Sequence, residues 1–401
     1  MASLYSTSQN ARKVLLVIVA IVIVILAFDT ISSFQNSEST NLQKARRFYM
    51  ASDNFFGDIK SPEIPSIPIA EESKPVFSLR QPVFGKFPDV AYVYFVEKSG
   101  EKLETFENAL DKASLIGFEK TLLEENGREM IWTIQDGTKV LNFNRDTFKW
   151  DLNTNYTSNI EAIRKKTVSN QSTTYSRNVT ALLKKFVLNS ASYNFGFRDA
   201  VTTVTLANIG PSGLFYEVKS ANEAQYARVD VFRQLPFADL KPQDQQPELL
   251  KNEIRPTAVS GVVYREDPRL GIFSAIVSNN FTNYEKDLFD IDFIDFNYTG
   301  QTGKYLIISP DDAWTKIQNG EASLVSIKTL ETDQFSKFPL LNVRKFEADP
   351  VKTKLGYFEP RVWNGYVTPI YIFEGTATLD TGRLASFTYY VNALRESVPT
   401  K

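Results

Sequence analysis

Apolar and polar positions alternate over much of this chain, which predicts strands, and in a few short stretches they recur at the helical period. Residues 90–96, "VAYVYFV", read as a strand from their β-branched and aromatic content. Residues 103–115 then read as a helix, with Phe106, Ala109, Leu110 and Ala113 on one face and Gly117 as its stop. "FEKTLLEE", "REMIWTI" and "TKVLNFN" follow as a three-stranded antiparallel meander. Its turns are set by Asn126-Gly127 and Asp136-Gly137, pairs that tolerate positive φ and favour type I′ hairpins.

The order then repeats. Asn178 caps a helix with the stripe Leu182, Leu183, Phe186 and Val187, and "DAVTTVTLANI", "GLFYEVK" and "QYARVDVFRQL" follow as strands. "VSGVVYRE" and "GIFSAIVS" read as a hairpin turned at residues 267–271. "KYLIIS" leads into a short helix, and four further strands close the chain, the last two turned at residues 380–382. The predicted fold class is α+β, a tandem array of modules with a helix packed on an antiparallel sheet. Module boundaries fall at residues 87–175, 176–300 and 301–401.

The short helix in "SPDDAWTKIQNG" is heavily punctuated. Ser309 caps its start, Pro310 fits the first turn, Asp311 and Asp312 face the positive end of the dipole, and Gly320 supplies a left-handed stop. Ala313, Trp314 and Ile317 share a face. A helix this short is marginal alone and must lean on a sheet, so Trp314 reads as a core anchor.

The strongest single signal is N-terminal. In "RKVLLVIVAIVIVILAFD" the apolar core from Val14 to Phe28 has 15 residues, about 22 Å of helix against a hydrocarbon layer of roughly 30 Å. Snorkelling by Arg12 and Lys13, with helix continuing toward Phe34, closes the gap. A cleaved signal peptide is the rival reading, but no small-x-small cleavage pattern follows. The expected layout is a cytoplasmic tail at 1–10, a transmembrane anchor at 11–33, and a stalk helix with a proline-rich linker at 34–86. Arg12 and Lys13 place the N-terminus in the cytoplasm and the rest outside, as a single-pass plasma-membrane protein with an extracytoplasmic ectodomain.

Composition removes whole classes of chemistry. The chain has no histidine and no cysteine, so disulfides, thiolate nucleophiles, imidazole bases and Cys or His metal sites are excluded. A net charge of −2 argues against nucleic acid as a partner. Asp287, Asp290, Asp292 and Asp295 offer oxygen ligands close together, but their spacing is not that of a calcium loop. Alternation of Asp with Ile and Phe there is that of a half-buried strand. In "RVDVFRQLPF", Arg228, Asp230 and Arg233 alternate with apolar residues, which reads as a central strand with a charged solvent face rather than an exposed edge. No local pattern selects a carboxylate dyad from the 47 acidic residues, and "GxSxG" does not occur. No catalytic, cofactor-binding or metal-ligating residue is singled out, and no cofactor is implied.

"YLIISPDDAWTKIQNGEASLVSI", followed by "KLGYFEP" and "GYVTPIYIFEGTA", resembles the extracytoplasmic YycI/YycH-type regulatory proteins. Those are single-pass membrane proteins with PepSY-like modules that restrain a cell-wall sensor kinase. The likeness lies mainly in residues 309–377, on Ala313-Trp314 with Gly320, the strand around Leu355 and Tyr357, and "PIYIF". It implies a non-catalytic, protein-binding or regulatory protein of the bacterial cell envelope. The implied partners are the membrane, through the anchor, and an envelope protein such as a sensor kinase or a wall-synthesis protein. The alternatives are a structural envelope or assembly subunit, and an envelope enzyme working through carboxylates alone.

Overall fold

Most predicted elements form, but they assemble differently from a tandem array. The computed structural model describes residues 52–70, 73–85, 87–97, 103–134, 138–155, 172–186, 196–209, 215–220, 223–237, 260–278, 284–294, 296–329 and 342–395. All belong to one unit, Ser52–Asp239 with Pro256–Lys401. Of the described residues 50% are strand and 16% helix, so the α+β expectation is corrected to a mostly β protein. Its nineteen described strands form a sheet of ten and a sheet of nine.

The nine-stranded sheet, sheet II, is antiparallel throughout. Its first half is the meander β3 (Leu123–Asn126), β4 (Glu129–Ile134), β5 (Lys139–Asn144) and β6 (Lys149–Thr154). The fourth strand, "KWDLNT", extends the expected three. Asn126 pairs with Glu129, so Gly127 and Arg128 form the turn, and positive φ falls on Gly127 alone. That is the type II′ pattern rather than I′. The second half runs β13 (Leu288–Ile294), β12 (Phe273–Ser278), β9 (Tyr226–Phe232), β7 (Val201–Ile209) and β8 (Phe215–Glu217). β6 joins the halves by pairing with β13, Trp150 opposite Phe293. Helices α1 (Leu103–Leu115) and α2 (Ser172–Phe186) bury their predicted stripes at Ala109, Ala113, Leu182, Leu183 and Phe186. The α2 stripe packs on β7, β9 and β12.

Sheet I is organised by β18 (Tyr366–Leu379), 14 residues long. β19 (Leu384–Asn392) lines one edge; β17 (Lys354–Phe358) and β16 (Val343–Ala348) share the other. The first residues of β18 also pair with β2 (Val90–Glu97), which pairs in turn with β14 (Asn297–Leu306). β1 (Val76–Leu79) lies parallel to β16, β11 (Ser260–Tyr264) lies parallel to β17, and β10 (Gln234–Pro236) and β15 (Ser323–Thr329) complete the sheet. Strands from all three expected modules therefore interleave. Periodicity reports which side chains are buried but not which strand lies alongside. The expected hairpin of β11 and β12 fails for that reason, since β11 belongs to sheet I and β12 to sheet II.

Helix α3 (Pro310–Gln318) matches its sequence reading. The Ser309 hydroxyl accepts a hydrogen bond from the Asp312 amide, the Asp312 carboxylate accepts one from the Ser309 amide, and Gly320 has φ +77°. Trp314 is buried against Phe77 and Phe373.

The proline-rich stretch read as a spacer is a strap seated on sheet I. The Ile67 amide donates to the Leu324 carbonyl, and Phe77, Phe84 and Phe87 pack on Phe346, Phe373 and Tyr371. Residues 11–33, read as a membrane anchor, lie outside the described residues. No helix of the described residues is long and apolar enough to cross a membrane. The longest, α2, has 15 residues and one apolar face, so it spans about 22 Å of a layer roughly 30 Å thick. The single-pass plasma-membrane placement, with its cytoplasmic N-terminus and extracytoplasmic ectodomain, is corrected on that finding.

Replacing Trp314 with Ala empties a well-packed site and is expected to cost about 3–5 kcal/mol, read by urea denaturation. Ser309→Ala removes only the cap and is expected to cost about 1 kcal/mol.

Candidate functional site: a pinned loop over the sheet junction

Among the described strands the chain passes from one sheet to the other at four places, and three of them bring buried residues together. Arg233 lies between β9 and β10, Arg265 follows β11, and the passage from β13 to β14 brings in Tyr298. Both guanidinium groups are inaccessible to solvent. Arg265 Nη2 lies 2.9 Å from Glu359 Oε1 and also donates to the Ile294 carbonyl at 3.3 Å. The Tyr298 hydroxyl donates to the second Glu359 oxygen. The Arg233 guanidinium is sandwiched between the rings of Phe197 and Tyr298, 4.1 Å from each centroid. Burial, then the Glu359 charge, holds the Tyr298 hydroxyl well above its ordinary pKa, so it remains a donor.

A second buried pair lies in β9. Arg228 Nε donates to Asp230 Oδ2 at 2.8 Å, and the Gly271 amide donates to Asp230 Oδ1 at 3.1 Å. Gly271 approaches so closely that a Cβ there would lie 2.5 Å from the Val231 nitrogen. The alternation in "RVDVF" therefore marks a central strand, as read, but one covered on both faces, with its charges paired inside. Burial raises the Asp230 pKa against the lowering effects of Arg228, the Gly271 amide and Ser274.

From this junction rises the loop between β17 and β18, residues 359–365. Glu359 roots it in the buried network, and its amide donates to the Tyr264 carbonyl. The Arg361 amide donates to Glu266 Oε1, and its guanidinium reaches Asp292 Oδ2 at 2.6 Å. Trp363 Nε1 donates to the Val96 carbonyl at 2.8 Å, and the Val96 amide returns a bond to the Gly365 carbonyl. Gly365 turns the chain at φ +90°. A loop fixed at this many points still leaves Val362 80% and Trp363 42% exposed.

Beside the loop runs a groove of about 980 Å³, walled by Trp363, Val362 and Tyr366 on one side and by strap residues 58–65 on the other. A second cleft of about 610 Å³ is lined by strap residues 58–61 together with Tyr305, Leu306 and Arg395. Phe56 packs on Phe95 and Tyr366, and its neighbour Phe55 is 67% exposed.

The aspartates considered for calcium do not converge. Asp287 accepts from Ser278, Asp290 from the Thr154 amide, and Asp292 pairs with Arg361; Asp295 lies outside the described residues. Among the described residues no group of three or more acidic side chains is placed to hold a metal. Sequence reasoning passed over "RVWNG", although it carried a signal: a Val-Trp pair inside a turn, where polar residues are the rule.

No family model matches the chain, and neither does any curated protein, so the YycI-like and PepSY-like terms have no family match behind them. Among solved structures the chain is similar to an uncharacterized protein from Eubacterium rectale. The TM-score is 0.33 and the identity 10%, over 84% of this chain and 94% of that one. A likeness at that level bears on neither fold nor function.

Removing one partner of a buried ion pair strands the other, so Arg265→Leu is expected to cost about 3–5 kcal/mol in denaturant titrations. For Asp230 the sign is set by its raised pKa. Its contribution to stability is fully present below the ordinary carboxylate pKa and is lost as pH rises through the folded value. The stability of wild type relative to Asp230→Asn should therefore fall with rising pH across that window, measured by denaturation at a series of pH values.

Proposed function

We propose that this chain is a non-catalytic protein-binding protein, and that it engages its partner through the Val362–Trp363 loop and the adjoining groove. One observation carries the reading: two apolar side chains are exposed on a loop whose backbone and flanking side chains are hydrogen-bonded to both sheets. Exposed apolar groups on a pre-formed support lose little conformational freedom on association, and tryptophan is enriched among the residues that dominate binding energy. Its indole N–H is already satisfied by Val96, so the exposed ring surface is free to pack.

The disposition of the acids favours binding over catalysis. Glu359 and Asp230 are spent on buried cations, and Asp292 and Glu266 hold Arg361. A carboxylate dyad for hydrolysis needs two facing acids in an open cleft, one of them holding a proton. The regulatory role and the structural role weighed from the sequence both pass through such a binding surface.

The test compares the intact protein with Val362→Asp and Trp363→Ala in affinity capture, followed by titration of the captured protein. The expected result is affinity weakened tenfold or more for each variant, about 1.4 kcal/mol or above, with the denaturation midpoint little changed. A partner that binds wild type and both variants equally would refute the assignment of this loop.

A further inference from the structure

The strap carries "SPEIPSIPI", with Pro62, Pro65 and Pro68 three residues apart. Each ring fixes its own φ near −65°, and each biases the residue before it, Ser61, Ile64 or Ile67, toward extended conformation. Six residues of the run are thereby pushed toward the polyproline II helix, which repeats every three residues. The segment has no helix and no ladder pairing up to Pro68.

A repeat of three divides the run into faces, and the burial follows them. Ile64 and Ile67 are half-buried, with Ile64 on the Phe358–Tyr390 cluster and Ile67 on the main core. Hydrogen bonds fix the same face: Ser323 Oγ donates to the Ile64 carbonyl at 2.8 Å, and the Ile67 amide donates to Leu324 at 2.7 Å. Pro65 and Pro68, on another face, are exposed, and Pro62 in line with them is half-exposed. Clefts of about 980 and 610 Å³ border the strap at residues 58–61, and the larger runs along it as far as Pro65. The strap stands above its surroundings as a ridge.

We infer that this ridge is a second interaction surface, and that its partner is a protein module whose groove of parallel aromatic rings takes polyproline II segments. Such modules read prolines at a spacing of three and gain affinity because the ligand is already ordered. Here the order comes from the sheet as well as from the rings, since Ile64 and Ile67 hold the segment down while the proline edge faces out. This surface rests on observations separate from those for the Val362–Trp363 loop.

The experiment titrates the intact protein with a panel of purified SH3, WW and EVH1 modules, the three aromatic-groove types known for this recognition. At least one module is expected to bind, and Pro65→Arg with Pro68→Arg should weaken it tenfold or more, because the added side chains occupy the exposed edge. Hydrogen exchange of the Ile67 amide checks that the strap stays seated in that variant. Module binding lost in Val362→Asp but kept in the proline double variant would place the module on the loop instead, so failure of one surface is distinguishable from failure of the other. Absence of binding across the panel, or binding that survives the double replacement with Ile67 still protected, overturns the inference.

Discussion

Taking a guanidinium and a carboxylate out of water costs several kcal/mol for each ion, and this fold meets that cost at the place where its two sheets join. Arg265, Glu359 and Tyr298 come from three separate strand ends, and their mutual hydrogen bonds require all three ends to converge. Arg233, held between Phe197 and Tyr298, adds a fourth segment. Apolar packing alone tolerates slippage between sheets; a buried ion pair with directional bonds does not. The angle and register of sheet I against sheet II are thereby tied to a few atoms.

The loop that follows Glu359 inherits that rigidity. Its first residue is immobilised by the network, and Arg361 two positions on is held by acids from a sheet II strand and from a connection between sheets. An apolar tip on such a support need not be frozen when something binds to it. The strap is rigid for a different reason: its prolines restrict the backbone locally, and two isoleucines dock it. Two surfaces, stiffened by unrelated means, thus share one groove.

Local structure was legible in the residues. The α1 stripe, its Gly117 stop, the capping of α3 by Ser309 and the burial of Trp314 follow from periodicity and turn chemistry over a few positions. What escaped was every feature set by distant partners. The charges of "RVDVF" looked like a solvent face because alternation is the same whether the second face meets water or protein. The hairpin expected of β11 and β12 looked sound because nothing in seven or eight residues tells a turn from a passage between sheets. The prolines of the strap suggested a spacer because their sheet partner, β15, lies some 260 positions along the chain. Trp363 was missed because a loop was expected to be polar.

The pairing of N-terminal with C-terminal strands also governs how the molecule is made. β1 finds its neighbour in β16, and β2 finds its neighbours in β14 and β18, more than 200 residues downstream. The meander from β3 to β6 can close as soon as it leaves the ribosome, whereas "VAYVYFV" must wait for its first partner until β14 has been made. During that interval an apolar strand with open edges stands unprotected, the kind of segment that chaperones shield.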